Sequence, residues 1–480
     1  MSPARPSEES RAFAARLRED PETAALIADD RPLVVARAPG RLDLMGGIAD
    51  YSGSLVLQMP LAEATLVAAQ ERDDDLVEVR SLGPTPDDRA RRVRAPVGKL
   101  RELAAADPAR ARACLTADPR SQWAAYVLGS LLVLARERGL RLEQGLTLIA
   151  ASSVPEGKGV SSSAALEIAT LRALDALFDL DVPGEELARL GQRAENEIVG
   201  APCGIMDQMA SALGRERELL ALTCQPARIE GYRSLPDSLA VWGDRLRRPA
   251  RRHRSELRRR ARGRLHGLSH ASPISPASPR ALSARARRDR RPALGRLPRA
   301  RRTRDLRDRV PGAAARAPAR RGLPRPARRH HGRRDPRRSD RDYAVLLPTL
   351  HPIAEHERVT RFASLIAAAA DDAAMREMGE LMYASHASYS ACGLGSDATD
   401  RLVADDPRGR PRAGPLRRQD HRRRKRRHRR RSRPPRRRHR GPCHRAALRR
   451  GQPRRRPGLL RSSPGACAVP PLRVDLTPRR

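Results

Sequence analysis

The sequence is short of aromatic residues, with 2 Trp, 6 Tyr and 3 Phe among 480, so any core is built mainly from aliphatic side chains. Its six cysteines (Cys114, Cys203, Cys224, Cys392, Cys443 and Cys467) form no C-x-x-C pair. Neither a disulfide framework nor a four-ligand zinc site is indicated, and a reducing compartment fits best. No uncharged apolar run reaches the roughly 18 residues that a membrane span needs. The opening Met1-Ser2-Pro3-Ala4-Arg5 lacks the apolar stretch of a secretory signal. These absences point to a cytoplasmic protein with no membrane partner.

Acidic residues are scarce only in places. The formal charge is +41, which as an average suggests a nucleic-acid or membrane binder. Residues 244–341, however, hold 35 Arg, no Lys and 7 acids, and residues 405–457 hold 24 Arg and Lys425 against 3 acids. Their charges of +28 and +22 exceed that of the whole chain, so the remainder carries −9, the balance of an ordinary soluble enzyme. All eleven aromatic residues lie in that remainder. Neither basic block shows a period of 2 or 3.6, and both hold too little apolar surface to offset chain entropy, so as written they are expected to be disordered.

The remainder reads as α+β. A polar helical lead-in over 1–30 precedes a strand at Leu33–Ala38, broken by Pro39-Gly40. Further strands are expected at 55–57, 64–69, 76–79 and 146–150, with helices at 98–115, 121–138, through Phe178, and at 184–199. An apolar start at 343–347 leads to helices at about 358–370 and 372–388. Early strands followed by later helices do not form regular βαβ repeats.

Three segments carry chemistry. Pro155-Glu156-Gly157-Lys158-Gly159-Val160-Ser161-Ser162-Ser163-Ala164-Ala165 follows a strand and opens a helix. Glycines admit a close approach to the backbone, and the amides of a helix N-terminus attract phosphate. It is not a Walker A loop, because Gly159 follows Lys158. The bland reading is a Ser-rich N-cap on a buried helix. Arg37 to Gly53 is a Gly-punctuated loop bringing together Arg41, Asp43, Asp50 and Tyr51, suited to a polyhydroxylated ligand, although surface loops of this kind are common. Glu195 to Met209 pairs Glu195 and Glu197 before a turn with Asp207 after it, where a carboxylate can bind metal or accept a proton. Cys203, beside Pro202, is a nucleophile or, with better odds, a small buried thiol.

In this order the three segments resemble the pattern of the GHMP sugar kinases, in their arabinokinase and galactokinase branches, over about 31–243 and 343–404. The stretch Ser388-Tyr389-Ser390-Ala391-Cys392-Gly393-Leu394-Gly395-Ser396-Asp397 is arabinokinase-like. The resemblance implies a two-domain α+β kinase, with an N-terminal domain over 31–215 and a C-terminal ferredoxin-like domain left as remnants at 216–243 and 343–404. It implies ATP and Mg²⁺, with a small sugar, L-arabinose or galactose, as acceptor. Gly157, Lys158, Gly159, Ser161, Ser162 and Ser163 then hold the nucleotide phosphates, and Ser162 and Glu195 hold the ion. Asp207 faces the anomeric hydroxyl beside Arg41, and Asp50, Tyr51, Gly47 and Gly204 bind sugar. Galactokinases usually carry Glu-His where this chain has Gly47-Ile48, and that acidic residue contacts the 6-hydroxyl of galactose. L-arabinose lacks the hydroxymethyl group, so losing the carboxylate suits a pentose.

The family's third Gly-rich loop is absent. Its expected place holds Arg417–Arg431, a run that, shifted by one base, permits Gly-Gly-Gly-Ser-Gly-Gly in the alternative frame. Asp244–His266 and Arg328–Asp340 similarly permit kinase-like sequence. The basic blocks at 244–341 and 405–457 are therefore read as frameshifted translations, with 458–480 as a tail, and their histidines, His330 and His331 included, carry no metal meaning. The competing reading makes them nucleic-acid-binding arms on a kinase-like body, against which stand their lack of aromatics for base stacking and their many prolines. The chain as written is expected to be poorly active and prone to aggregate, with its N-terminal domain left partly bare.

Overall fold

A computed structural model describes residues 7–83, 91–237, 239–244, 346–368, 371–404, 446–450, 459–461 and 472–474. The first basic block beyond Asp244 and most of the second lie outside these residues, as do the expected alternative reading frames.

The chain opens with α1 (Glu8–Glu19), whose N-cap Ser7 accepts from the Ser10 amide, and the short α2 (Pro21–Ala24). Next come β1 (Leu33–Met45), a 3₁₀ turn (Ala49–Ser52), β2 (Leu55–Glu71), β3 (Leu76–Ser81) and β4 (Arg92–Pro96). Helices α3 (Val97–Ala105), α4 (Pro108–Leu115) and α5 (Ala124–Arg138) lead to β5 (Leu146–Ser152), α6 (Ser162–Leu177) and α7 (Gly184–Arg193). A π-helical turn (Ala194–Val199) precedes α8 (Met206–Leu213), β6 (Glu218–Thr223), β7 (Arg228–Ser234) and β8 (Leu239–Asp244). The later part supplies α9 (Leu346–Leu365), α10 (Asp372–Ala391), α11 (Asp397–Ala404), β9 (Ala446–Arg450), β10 (Leu459–Arg461) and β11 (Leu472–Val474).

One eight-stranded sheet runs β11-β1-β2-β5-β3-β4, with β6 paired to β2 and β7 to β6. Among the described residues only the β3–β5 pairing is parallel, which bears out an α+β fold over regular βαβ repeats. β6 pairs with the first half of β2, Leu55 opposite Thr223 and Gln58 opposite Leu220, so the sheet continues past residue 215. A second sheet, β10-β8-β9, includes Ala446–Arg450 from within the second basic block. No regular element was expected there. Pairing to the edge of β8 uses main-chain hydrogen bonds, which a sequence without periodicity still supplies.

Several elements are longer than the sequence implies. Pro39-Gly40 does not end β1, because the strand passes through register shifts between Pro39 and Arg41 and between Asp43 and Met45. The runs at 55–57 and 64–69 are one strand through Pro60. The expected helix at 98–115 divides at Asp107-Pro108, where Asp107 caps the Ala109 amide at 2.7 Å and Pro108 takes the first helical position. Helix α9 begins at Leu346, ahead of the expected 358, and runs through Pro352.

Alternation along the long strands divides the core. Val34, Ala36 and Ala38 of β1, with Val56, Val67 and Ala69 of β2, face helices α3 to α8. On the opposite face Leu33, Val35, Leu66 and Ala68 meet Phe13, Ala14 and Leu17 of α1. Further along that face Leu42, Leu44, Leu57, Met59 and Leu61 meet Val359, Phe362, Leu365 and Met378 of α9 and α10. The helices after the basic block are thus seated on the strands that carry the first polar segment. Phe362 is fully buried in this contact. We expect Phe362→Ala to lower the unfolding free energy by about 3–5 kcal/mol, measured by denaturant titration, and a loss under about 1 kcal/mol would contradict the packing.

Candidate active site

The three polar segments converge. Arg41 and Asp43 stand on β1 rather than in a loop, while Asp50 and Tyr51 occupy the 3₁₀ turn. Asp207 sits in the first turn of α8 and Glu195 in the π-helical turn, a helical distortion frequent at functional sites. Arg41 is buried, and its Nε and Nη2 both donate to Asp207 Oδ1, at 3.0 and 2.6 Å. Its Nη1 donates to the Gly159 carbonyl at 2.7 Å, and its amide to the Val160 carbonyl at 3.1 Å. One arginine therefore ties the first strand, the carboxylate of α8 and the glycine loop together.

The glycine loop has the geometry of an anion cradle. Gly157 and Gly159 take φ of 65° and 72°, and Ser161 takes 58°, a conformation unfavourable for a residue with a Cβ. Ser161 stands at the N-cap of α6 without making a side-chain cap bond, and its buried Oγ has no hydrogen-bond partner in the protein. The expected cap role is thus not the one this hydroxyl plays, and a ligand acceptor accounts for it better. Ser162 and Ser163 follow as the first residues of α6, and Lys158 lies in the same loop. The serine hydrogen-bonded to Glu195 is Ser163, not Ser162, because successive side chains on the first helical turn point about 100° apart.

The sugar-loop residues form a second recess. Asp50 is 5 % exposed, and its Oδ1 has no partner in the protein. A Cβ on Gly204 would stand 1.9 Å from Asp50 Oδ2, so only glycine lets the loop after Glu195 approach this carboxylate. Tyr51 donates its hydroxyl to the Pro202 carbonyl at 2.9 Å, fixing the two loops to each other. Gly47 offers its carbonyl to His351 Nε2 at 3.2 Å.

Burial governs the titration of the cluster. Desolvation, then the charges of Asp207 and Asp43, push Asp50 up to about 7. Desolvation pushes Asp43 to about 6 despite Arg41 and a 2.8 Å hydrogen bond from Gln58. Glu195 rises to about 7, by burial and then by Asp207. Burial alone would lower the Arg41 guanidinium, but Asp207, Asp43 and Asp50 reverse this and raise it. Burial and the charges of Glu195 and Glu167 hold the Cys203 thiol well above its ordinary value, which favours its neutral form.

Sequence reading missed Glu167 and Gln208. Gln208 Nε2 bridges the two buried carboxyls, donating to Glu167 Oε2 at 3.0 Å and Glu195 Oε2 at 2.9 Å. Glu167 lies inside an apolar helix and Gln208 beside Asp207, and their pairing depends on tertiary packing alone. A Ser390, His386 and Asp400 grouping on α10 and α11 is not a hydrolase triad, because both partners approach the same Nε2, at 3.4 and 2.9 Å. Among the described residues no helix is long and apolar enough to cross a membrane.

Residues 26–71 match the family profile described as the galactokinase galactose-binding signature, and residues 125–215 match that of the GHMP kinases N terminal domain. The L-arabinokinase of Arabidopsis thaliana is 37 % identical over 431 residues, covering 81 % of this chain and 41 % of that protein. A galactokinase of Chloroflexus aggregans is 38 % identical over 206 residues, covering 43 % of this chain and 46 % of its own. The chain thus spans less than half the length of these curated relatives. The crystal structure of Lactococcus lactis galactokinase complexed with galactose matches with a TM-score of 0.57 at 21 % identity, over 82 % of this chain and 83 % of that one, a likeness of fold. The two profile matches take in the strand, loop and helix that carry Arg41, Asp50, Ser161 and Asp207, so over residues 26–71 and 125–215 this chain is similar to the galactokinases and other GHMP kinases.

Proposed function

We propose that this chain is an ATP-dependent sugar 1-kinase whose acceptor is the anomeric hydroxyl of L-arabinose, with galactose as the alternative acceptor. The observation that carries this is the Arg41–Asp207 pair, set between the glycine loop and the unpartnered buried oxygen of Asp50. The overall likeness to L-arabinokinase and the glycine at position 47 favour the pentose.

Phosphoryl transfer needs mainly positioning and neutralisation of charge. Because both Arg41 donors converge on Asp207 Oδ1, Oδ2 is left to take a ligand hydroxyl. In this mechanism the C1 hydroxyl oxygen attacks the γ-phosphorus, the bond to the β–γ bridging oxygen breaks, ADP leaves and the hydroxyl proton passes to Asp207. The Arg41 guanidinium, kept charged by its acidic neighbours, stands ready for the charge on the phosphoryl group. Asp50 accepts sugar hydroxyls, and Gly157 to Ser163 hold the phosphates.

Glu195 and Ser163 suit a magnesium ion. Burial among Glu167 and Asp207 leaves Glu195 a carboxyl that added positive charge would stabilise as the anion, and a hydroxyl and one or two carboxylates are the usual protein share of a Mg²⁺ site. Bound there, the ion would offset the charge of the nucleotide phosphates. Among the described residues no group of three or more His, Cys, Asp or Glu forms a metal site by itself, and a Mg²⁺ held largely by phosphates and water needs none.

The test is ATP-dependent phosphate transfer by the full chain to L-arabinose and D-galactose. We expect transfer to arabinose, slower than the roughly 1–100 s⁻¹ usual for kinases because the third Gly-rich loop is absent from the sequence. Asp207→Asn should lower kcat by about 10²–10⁴-fold, and transfer that survives this change overturns the role of Asp207. Salt-sensitive RNA binding without sugar phosphorylation would favour the basic-arm reading.

A pH dependence follows from Asp50. A carboxyl with its pKa near 7 is mostly neutral below that pH and then a poorer acceptor, so sugar affinity should fall as pH drops from 8 to about 6. Asp50→Asn should weaken binding and flatten this profile, as measured by calorimetry. The sign for folding is opposite. A carboxyl raised from 3.8 to about 7 in the fold binds more protons folded than unfolded, so its contribution to stability falls as pH rises between those values. Denaturation midpoints of Asp50→Asn should show a shallower decline over that range.

A further inference from the structure

Two helices from the later part of the chain clamp the Gly46-Gly47 turn of the sugar recess. Along α9, His351 and Glu355 lie four residues apart on one face and are fully buried. Along α10, Ser385, Ser388 and Tyr389 share a face at the same spacing. Glu355 accepts from the Gly46 amide at 3.2 Å and from the Ser385 hydroxyl at 2.5 Å. His351 Nε2 lies 3.2 Å from the Gly47 carbonyl, to which it donates, and Nδ1 lies 2.8 Å from the Ser388 hydroxyl. The His351 ring also meets Tyr389 edge to face, with centroids 6.3 Å apart at 68°.

That ring faces residue 47. A Cβ built on Gly47 would lie 3.6 Å from Asp43 Oδ2 and 3.7 and 3.8 Å from Tyr389 Cδ2 and Cε2. A methyl group fits at these distances. A longer side chain would meet the ring. Asp43, on the same side, is coupled electrostatically to Arg41 and Asp207, so the Tyr389 edge borders the recess that holds the acid cluster.

We propose that Tyr389 is a specificity-determining residue of this recess: its ring closes the Gly47 end, so that the site accepts a pentopyranose and excludes the hexose of the same ring configuration bearing a hydroxymethyl group. This assignment rests on the sugar-kinase reading above and deepens it. The ring supplies the exclusion and the phenol hydroxyl does not.

The test is calorimetric titration of the full chain with L-arabinose and with D-galactose, a readout independent of turnover. Wild type should bind arabinose at least about tenfold more tightly, the scale on which a pocket discriminates one carbon unit. Tyr389→Ala should narrow that ratio by about tenfold, and Tyr389→Phe should keep it. Should the alanine variant lose its fold by circular dichroism, Tyr389→Leu, which retains apolar volume without the planar ring, should still narrow the ratio. A merely structural role would weaken both sugars alike and leave the ratio in place, overturning the assignment while the kinase reading stands. A wild type that binds neither sugar overturns both.

Discussion

Arg41 is the joint on which the site depends. Its guanidinium meets Asp207 on one side and the Gly159 carbonyl on the other, so the distance between α8 and the glycine loop is set by a single planar group. Such a fork is rigid in a way that a lysine is not. It also lies where β1 has just passed a register shift, which turns the side chain out of the regular pleat toward α8. The relative placement of strand, helix and loop at the site runs through this one residue.

Around that joint the protein concentrates negative charge. Asp43, Asp50, Glu167 and Glu195 each feel the charge of Asp207, and burial raises all four. Buried carboxyls of this kind detract from stability unless something answers them. Gln208 answers part of the demand by donating to Glu167 and Glu195, and Arg41 another part. What is left over is the lone Asp50 oxygen and the raised Glu195, perturbed carboxyls of the kind that cluster at functional sites.

Much of this was legible in sequence. Glycines beside serines after an apolar strand marked the loop that opens α6 in left-handed backbone, and Asp207 and Arg41 stood in the segments expected to carry chemistry. The strand boundaries were less legible, because Pro39-Gly40 looks like a stop until the register shifts absorb it. Ser163 could not be told from Ser162 without the helix phase that aims one of them at Glu195. Glu167 and Gln208 look like any polar residues on mostly buried helices, since nothing local marks a bond that only packing creates. His351, Glu355 and Tyr389 lie some 300 residues from the turn they brace, beyond the reach of any local pattern.

That separation bears on how the site comes into being. During synthesis the chain from residue 33 to 213 contains every partner needed to seat Arg41 on Asp207 and on the glycine loop. The Gly46-Gly47 turn, by contrast, waits for helices emerging more than 130 residues later, and closing so long a loop is slow relative to local structure. For that interval the nascent chain has an assembled Arg41 end and an open Gly46-Gly47 end, with Leu57, Met59 and Phe362's other future neighbours facing solvent. Anything that holds back residues 346–391 leaves an apolar strand face uncovered, the kind of surface that chaperones recognise and aggregates grow from.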